Sequence, residues 1–160
     1  MGKEIERKFL VNGFDWKKDA FGVRCRQGYV CLDEKATVRV RIKGERGYLT
    51  IKGKSVGISR SEYEYKIPVN EAGEMLEDLC EKPLIEKLRY TIRYKGFLWE
   101  VDEFGGENAG LIIAEIELEN EAQEFERPGW VGKEVSGDRR YYNVSLARHP
   151  WTGWSRAADE

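Results

Sequence analysis

The chain has 160 residues, 41% hydrophobic and 35% charged, with 27 Lys and Arg against 29 Asp and Glu for a net charge of −2. That length predicts one domain over 1–160, and the balanced signs lack the basic excess of a nucleic-acid binder, so no nucleic-acid partner is expected. No apolar run nears the ~20 residues of a membrane span and no signal-type segment opens the chain, so no membrane contact and a cytoplasmic location are expected.

Alternation of polar and apolar residues dominates the chain and predicts a mainly β (α+β) fold. The first strand, EIERKFLV (4–11), puts Glu4, Glu6 and Lys8 on one face and Ile5, Arg7 and Phe9 on the other. A short helix is expected near Asp15, then strands over 23–32, 37–44, 47–53 and 61–68. Asn70 is placed to cap a helix over 71–81, with Glu71 and Glu74 in its first turn. Strands follow over 84–96, 97–104 and 111–119, then helical segments over 121–126 and 140–147, with 151–160 a peripheral tail. Turn residues lie at Gly44–Gly47, Lys95–Gly96 and Gly105–Gly110. With few long crossovers the pairing is expected to be antiparallel. Cys25, Cys31 and Cys80 form no CxxC pair and read as structural thiols, and His149 as a surface or packing residue.

The polar faces carry the chemistry. The third strand presents Arg39, Arg41 and Lys43; the fourth, Thr50 and Lys52; the fifth, Glu62, Glu64 and Lys66. The sixth presents Lys87, Arg89 and Arg93; the seventh, Glu100 and Asp102; the eighth, Glu115, Glu117 and Glu119. Any one strand reads equally as a sheet with its charged face in water. Together they are almost purely Glu, Arg and Lys, with the signs segregated by strand. Solvation gives no reason for that; a closed barrel with a charged lumen does. Lys8, Arg39, Arg41, Lys52, Lys87 and Arg89 suit phosphate oxygens. The Glu-x-Glu pairs supply hard oxygen ligands suited to Mg²⁺ or Mn²⁺. A divalent ion with a polyphosphate satisfies both sets, as phosphoryl transfer requires. GYLTIKGKS is not a P-loop: the first glycine of that motif would fall on Tyr48, and no helix follows.

Glu4-Ile5-Glu6-Arg7-Lys8, then RVR at 39–41, T-x-K at 50–52, E-Y-E at 62–64, K-L-R at 87–89, VDEF at 101–104 and EIELE at 115–119 make an ordered set. It resembles the CYTH, or triphosphate tunnel metalloenzyme, superfamily, with GKEVSGD at 132–138 and RYYN at 140–143 similar to the end of short bacterial members. The resemblance implies a closed antiparallel eight-stranded barrel forming a tunnel, and a metal-dependent enzyme acting on a small triphosphate. It implies Glu4, Glu6 and Glu117 as metal ligands with Glu115 close by, and the six cations as a phosphate cradle. By the same resemblance Lys133 stands at the tunnel mouth, and Glu62, Glu64 and Asp102 are candidates for a second metal or for orienting water. Inorganic tripolyphosphate is the expected substrate, because Tyr63, Tyr65, Tyr90 and Trp99 fall on the opposite parity and leave no base-stacking aromatic in the lumen. A class IV-type adenylyl cyclase, a thiamine triphosphatase and a non-catalytic polyphosphate-binding module are the alternatives. A monomer or homodimer is expected. Lys43, Arg93 and the partner of Arg7 stay unassigned.

Overall fold

The computed structural model describes residues 2–18, 20–33 and 35–154. Its strands are β1 (Lys3–Val11), β2 (Gly22–Leu32), β3 (Ala36–Lys43), β4 (Arg46–Gly53), β5 (Ser59–Ile67), β6 (Ile85–Tyr94), β7 (Phe97–Phe104), β8 (Ile112–Glu117) and β9 (Val131–Glu134). Two α-helices, α1 (Val69–Asp78) and α2 (Asn143–Arg148), accompany them. Strand order is β5-β4-β3-β2-β6-β7-β8-β1, and β1 pairs back onto β5 to close an eight-stranded antiparallel barrel. The closure divides one edge of β1. Lys3 to Ile5 pair with β5, and farther along Phe9 and Val11 pair with β9. The opposite edge runs beside β8, with Glu6 facing Glu117 and Lys8 facing Glu115.

On most strands the apolar face points outward, so the outside of the barrel needs covers. α1 supplies one: Ala72, Leu76 and Cys80 pack on Val40. The helix lies directly on backbone at Gly47, where a Cβ would come 2.9 Å from the Ala72 Cβ. The segment after β8 supplies another. Phe125 and Trp130 pack edge-on against Trp99, above Phe9, Val101, Ala114 and Ile116. Trp16, in a 3₁₀ turn at Asp15–Lys17, closes the same cluster against Tyr90 at 5.1 Å between ring centroids. A third apolar cluster lies at one end of the barrel. There Tyr29, Ile85, Phe104 and Ile113 meet Tyr141, Leu146 and Ala147 of the C-terminal segment. Among the described residues no helix is long and apolar enough to cross a membrane.

Several expectations need correction. α1 starts at Val69, not after Asn70; Pro68 at φ −57° sets the turn into it, and Ala72 N–H donates to the Pro68 carbonyl. The stretch 121–126 is not helical. Glu121, Glu124 and Glu126 leave it no apolar stripe, and Asn120 and Gln123 side chains bond local backbone N–H groups in a turn. The expected 140–147 helix divides into a 3₁₀ turn at Arg139–Tyr141 and α2. Residues 151–154 are not peripheral: Trp154 stacks edge-on with Tyr141 at 5.2 Å, and Trp151 N–H donates to Asn108 Oδ1 at 2.8 Å. The rest of the expected tail, 155–160, lies outside the described residues. β9 is an addition that alternation did not mark.

Candidate active site in the barrel lumen

The inward rows of charged residues enclose a cavity of about 310 Å³. Glu4, Glu6 and Lys8 line it from β1, Arg39 and Arg41 from β3, Lys52 from β4, Glu62 and Glu64 from β5, Lys87 and Arg89 from β6, and Glu115 and Glu117 from β8. Period-two alternation on a closed sheet places them there, since every second residue faces the axis.

One wall is a continuous chain of ion pairs. Asp102, 1% exposed, accepts two hydrogen bonds from Arg89, at 2.7 and 2.8 Å. Lys87 Nζ lies 2.8 Å from the same carboxylate and also donates to Asn143 Oδ1 at 3.1 Å. Arg89 reaches on to Glu115 at 3.1 Å, and Glu115 to Lys8 at 3.0 Å. Burial alone would push the Asp102 and Glu115 carboxyls up, but the cations beside them outweigh it and hold both well below the usual range. Burial opposes the charge on Lys8 as well, yet Glu115 and Glu6 keep its ammonium more basic than usual. For Lys87 burial wins over Asp102, and its pKa falls to about 8.

Across the lumen, Arg39 and Arg41 share one oxygen of Glu64, each at 3.5 Å. Thr50 accepts from Arg39 at 3.3 Å and donates to Glu64 at 3.0 Å. Burial, then the neighbouring Arg39 and Arg89, lower the pKa of Arg41. The Nε atoms of Arg39 and Arg41 are buried with no hydrogen-bond partner.

The seam of β1 with β5 and β8 carries excess acid. Lys52 bridges Glu4 at 3.0 Å and Glu62 at 3.3 Å. Glu6 and Glu117, paired in register, have no such bridge. Burial, followed by Glu115, raises the Glu6 pKa to about 8 despite Lys8 at 3.7 Å. Burial, then Glu4, Glu62 and Glu100, raises that of Glu117. Among the described residues no three acidic, His or Cys side chains already converge on a common ligand point. Glu4 is drawn to Lys52 and Glu115 to Lys8 and Arg89. The donor set itself is hard oxygen with unrelieved negative charge, the chemistry a divalent cation relieves.

Two sequence-predicted residues are not brought to the cavity. Asp102 lies behind Lys87 and Arg89, holding both. Lys133 is exposed on β9, outside the lining. Alternation missed others. Tyr29 and Tyr142 line the cavity, so the lumen is not free of aromatics, and Lys8 Nζ sits 5.7 Å from the Tyr142 ring centroid. Tyr29 escaped because the inward row of β2, Cys25, Gln27 and Tyr29, carries no charge to mark it. Tyr142 and Asn143 come from outside the barrel strands. Arg60, in the row of Glu62 and Glu64, was lost because β5 begins at Ser59 rather than 61. Lys43 lines the cavity too. Arg7, on the outer face, pairs with Glu134 of β9 at 2.6 Å and lies 5.1 Å from the Phe125 ring centroid. The same Glu134 accepts from Ser136 at 2.7 Å, and Ser136 Oγ accepts from the backbone N–H of Lys8 at 2.9 Å. β9 thus fixes the position of Lys8 through main chain.

The chain is similar to proteins with known names. The chain is 60% identical to an inorganic triphosphatase of Acetivibrio thermocellus, over 94% of this chain and 97% of that protein. It is 40% identical to an inorganic triphosphatase of Nitrosomonas europaea, over 90% of this chain and 96% of that one. A crystal structure of an inorganic triphosphatase superposes with a TM-score of 0.65 at 38% identity, covering 89% of this chain and 96% of the other. Residues 2–145 match the CYTH domain, and with them this chain belongs to the CYTH domain family.

Proposed function

We propose that this protein is a metal-dependent triphosphatase that hydrolyses inorganic tripolyphosphate to pyrophosphate and orthophosphate. The observation that carries the reading is the opposition inside one small cavity: a row of buried Arg and Lys faces a carboxylate seam with more negative charge than its cations match. A small polyanion with a divalent cation satisfies both sides. The names of the relatives support the same substrate class.

The roles follow from position. Arg39, Arg41, Lys52, Lys87, Arg89 and Lys8 hold nonbridging phosphate oxygens and stabilise charge that builds as the terminal P–O bond breaks. Arg39 and Arg41 present buried, unpartnered Nε–H groups for this. Glu4, Glu6 and Glu117, with Glu115 beside them, are the residues that would hold Mg²⁺ or Mn²⁺. When bound, that ion neutralises phosphate charge and polarises the bond that breaks. Glu62 and Glu64 are the cavity carboxylates that orient the attacking water, which enters in line and leaves its proton to carboxylate or solvent. Asp102 does not touch substrate; it fixes the directions of Lys87 and Arg89.

The test is a phosphate-release panel with Mg²⁺ or Mn²⁺ over tripolyphosphate, ATP, thiamine triphosphate and long-chain polyphosphate, with cyclic AMP monitored. Tripolyphosphate is expected to give the highest kcat/KM. Cyclic AMP as the main product from ATP, or binding of tripolyphosphate without turnover, overturns the reading.

A further inference from the structure

Eight basic side chains line the cavity. Six are within ion-pair distance of a carboxylate, as described above. Of these eight, Lys43 and Arg60 are the two with no ion pair to another described residue. Lys43 stands at the last position of β3, beside the turn into β4, where a flexible ammonium is free to hydrate. Arg60 is different. Like Lys43 it is half-buried, but its Nε is fully buried without a hydrogen-bond partner. An unmet buried donor is costly and uncommon in folded proteins.

Arg60 lacks a partner although acids flank it. Glu4 is its Cα partner across the β1–β5 seam, and Glu62 is the next inward residue on β5. Lys52 engages both carboxylates instead, at 3.0 and 3.3 Å. Arg39 and Arg41 also have an open Nε, but each directs an Nη2 to Glu64. Arg60 therefore keeps its whole guanidinium fork uncommitted, on the seam that carries Glu4 and Glu62, in the cavity that Ser55 and Gly57 of the β4–β5 loop also line.

We propose that Arg60 is a substrate-binding residue, taking oxygens of the phosphate group that lies against the β1–β5 seam. This rests on the triphosphate reading of the cavity. Planar fork geometry suits two oxygens of one phosphate, and no internal acid has to be displaced before they bind. Because Arg60 is uncommitted before and after the bond breaks, its contact serves ground state and transition state alike. It acts on KM rather than kcat.

The test compares wild type with Arg60→Gln and Arg60→Lys. Tripolyphosphate hydrolysis is expected to show KM raised about tenfold or more in Arg60→Gln with kcat within about threefold, the scale of one charge-assisted hydrogen bond. Arg60→Lys is expected to fall between. Arg46→Gln removes the same charge from the exposed first residue of β4 and is expected to leave KM within about twofold. Removing an unmet donor is expected to leave the melting temperature of Arg60→Gln at or above wild type; a lower one with unchanged KM means a structural role and overturns the proposal. Calorimetric titration of metal-free protein with tripolyphosphate separates this from the functional reading. If wild type binds but does not hydrolyse, the triphosphatase reading falls, while at least about tenfold weaker binding by Arg60→Gln still upholds the contact. Equal binding by the two proteins overturns it.

Discussion

Two regions of one lumen use the same residue types to opposite ends. In the wall of β6, β7 and β8, each charge meets its opposite: Lys87 and Arg89 on Asp102, and Arg89 and Lys8 on Glu115. At the seam of β1 with β5 and β8, Glu6 and Glu117 face each other in register, and no cation among the described residues bridges the two. The wall is complete as folded, so its cations are held in fixed directions before any ligand arrives. The seam carries charge that the chain does not itself neutralise. A site prepared for phosphate by the one and for a divalent cation by the other needs both in a single closed barrel, and closure is what brings β1 beside β8.

The comparison breaks most severely at Asp102. Asp102→Ala leaves Lys87 and Arg89 buried without their shared carboxylate, and removing one partner of a buried ion network costs about 3–5 kcal/mol. Urea unfolding is expected to show that loss, with phosphate release falling alongside it; unchanged stability would mean that the wall is not held by Asp102. The seam is next. Chelation of divalent ions is expected to lower phosphate release by about a hundredfold or more, since a bound ion supplies several kcal/mol of charge stabilisation. Glu6→Gln is expected to lose the rise in melting temperature that Mg²⁺ or Mn²⁺ gives wild type. A smaller effect has the opposite sign. Glu117→Gln removes one of several neighbouring like charges, so the metal-free protein is expected to gain stability in urea unfolding, by about 0.5 kcal/mol or less because Glu117 is exposed and its charge is screened.

How legible each region was in the sequence follows from the same physics. Rows of charge at period two are legible inside a strand whatever its ends, so Glu4, Arg39, Lys87 and Glu115 all reach the lumen as alternation predicts, while Arg60, at the start of β5, was missed. Alternation reports only which face a residue shares. It does not separate Asp102, which lies behind the cradle, from Glu100, which lines the cavity. It also fails where pairing rather than pattern makes the element. β9 is a strand because β1 has an edge left over past β5, and four residues are too few to show a period. Its absence from the sequence reading hid the partner of Arg7. The stretch 121–126 misled because its glutamates suit a helix, whereas Phe125 packs half-buried from irregular chain against three aromatic rings.

β9 also provides the mildest test, one that leaves the lumen's own charges untouched. The hydrogen bond from Arg7 lowers the Glu134 pKa against the opposing effect of burial, with Ser136 and Arg127 adding to it. These are the charged and polar groups facing Glu134, from β1, from the second residue past the end of β9 and from the segment before it. A carboxyl with a folded-state pKa below its ordinary 4.5 contributes stability that is fully present above that value. The contribution is lost as the pH falls through the lower, folded value. Wild type is therefore expected to lose more stability than Glu134→Gln between neutral pH and the region below 4.5, with the two curves converging in acid. The gap at neutral pH is expected to stay within about 1 kcal/mol, because the pair is partly open to solvent. Its functional trace is at Lys8, whose backbone N–H is held by Ser136. If Glu134→Gln changes the KM for tripolyphosphate at pH 7, the outer strand sets the position of a lumen cation; if it changes stability alone, β9 only closes the edge of β1.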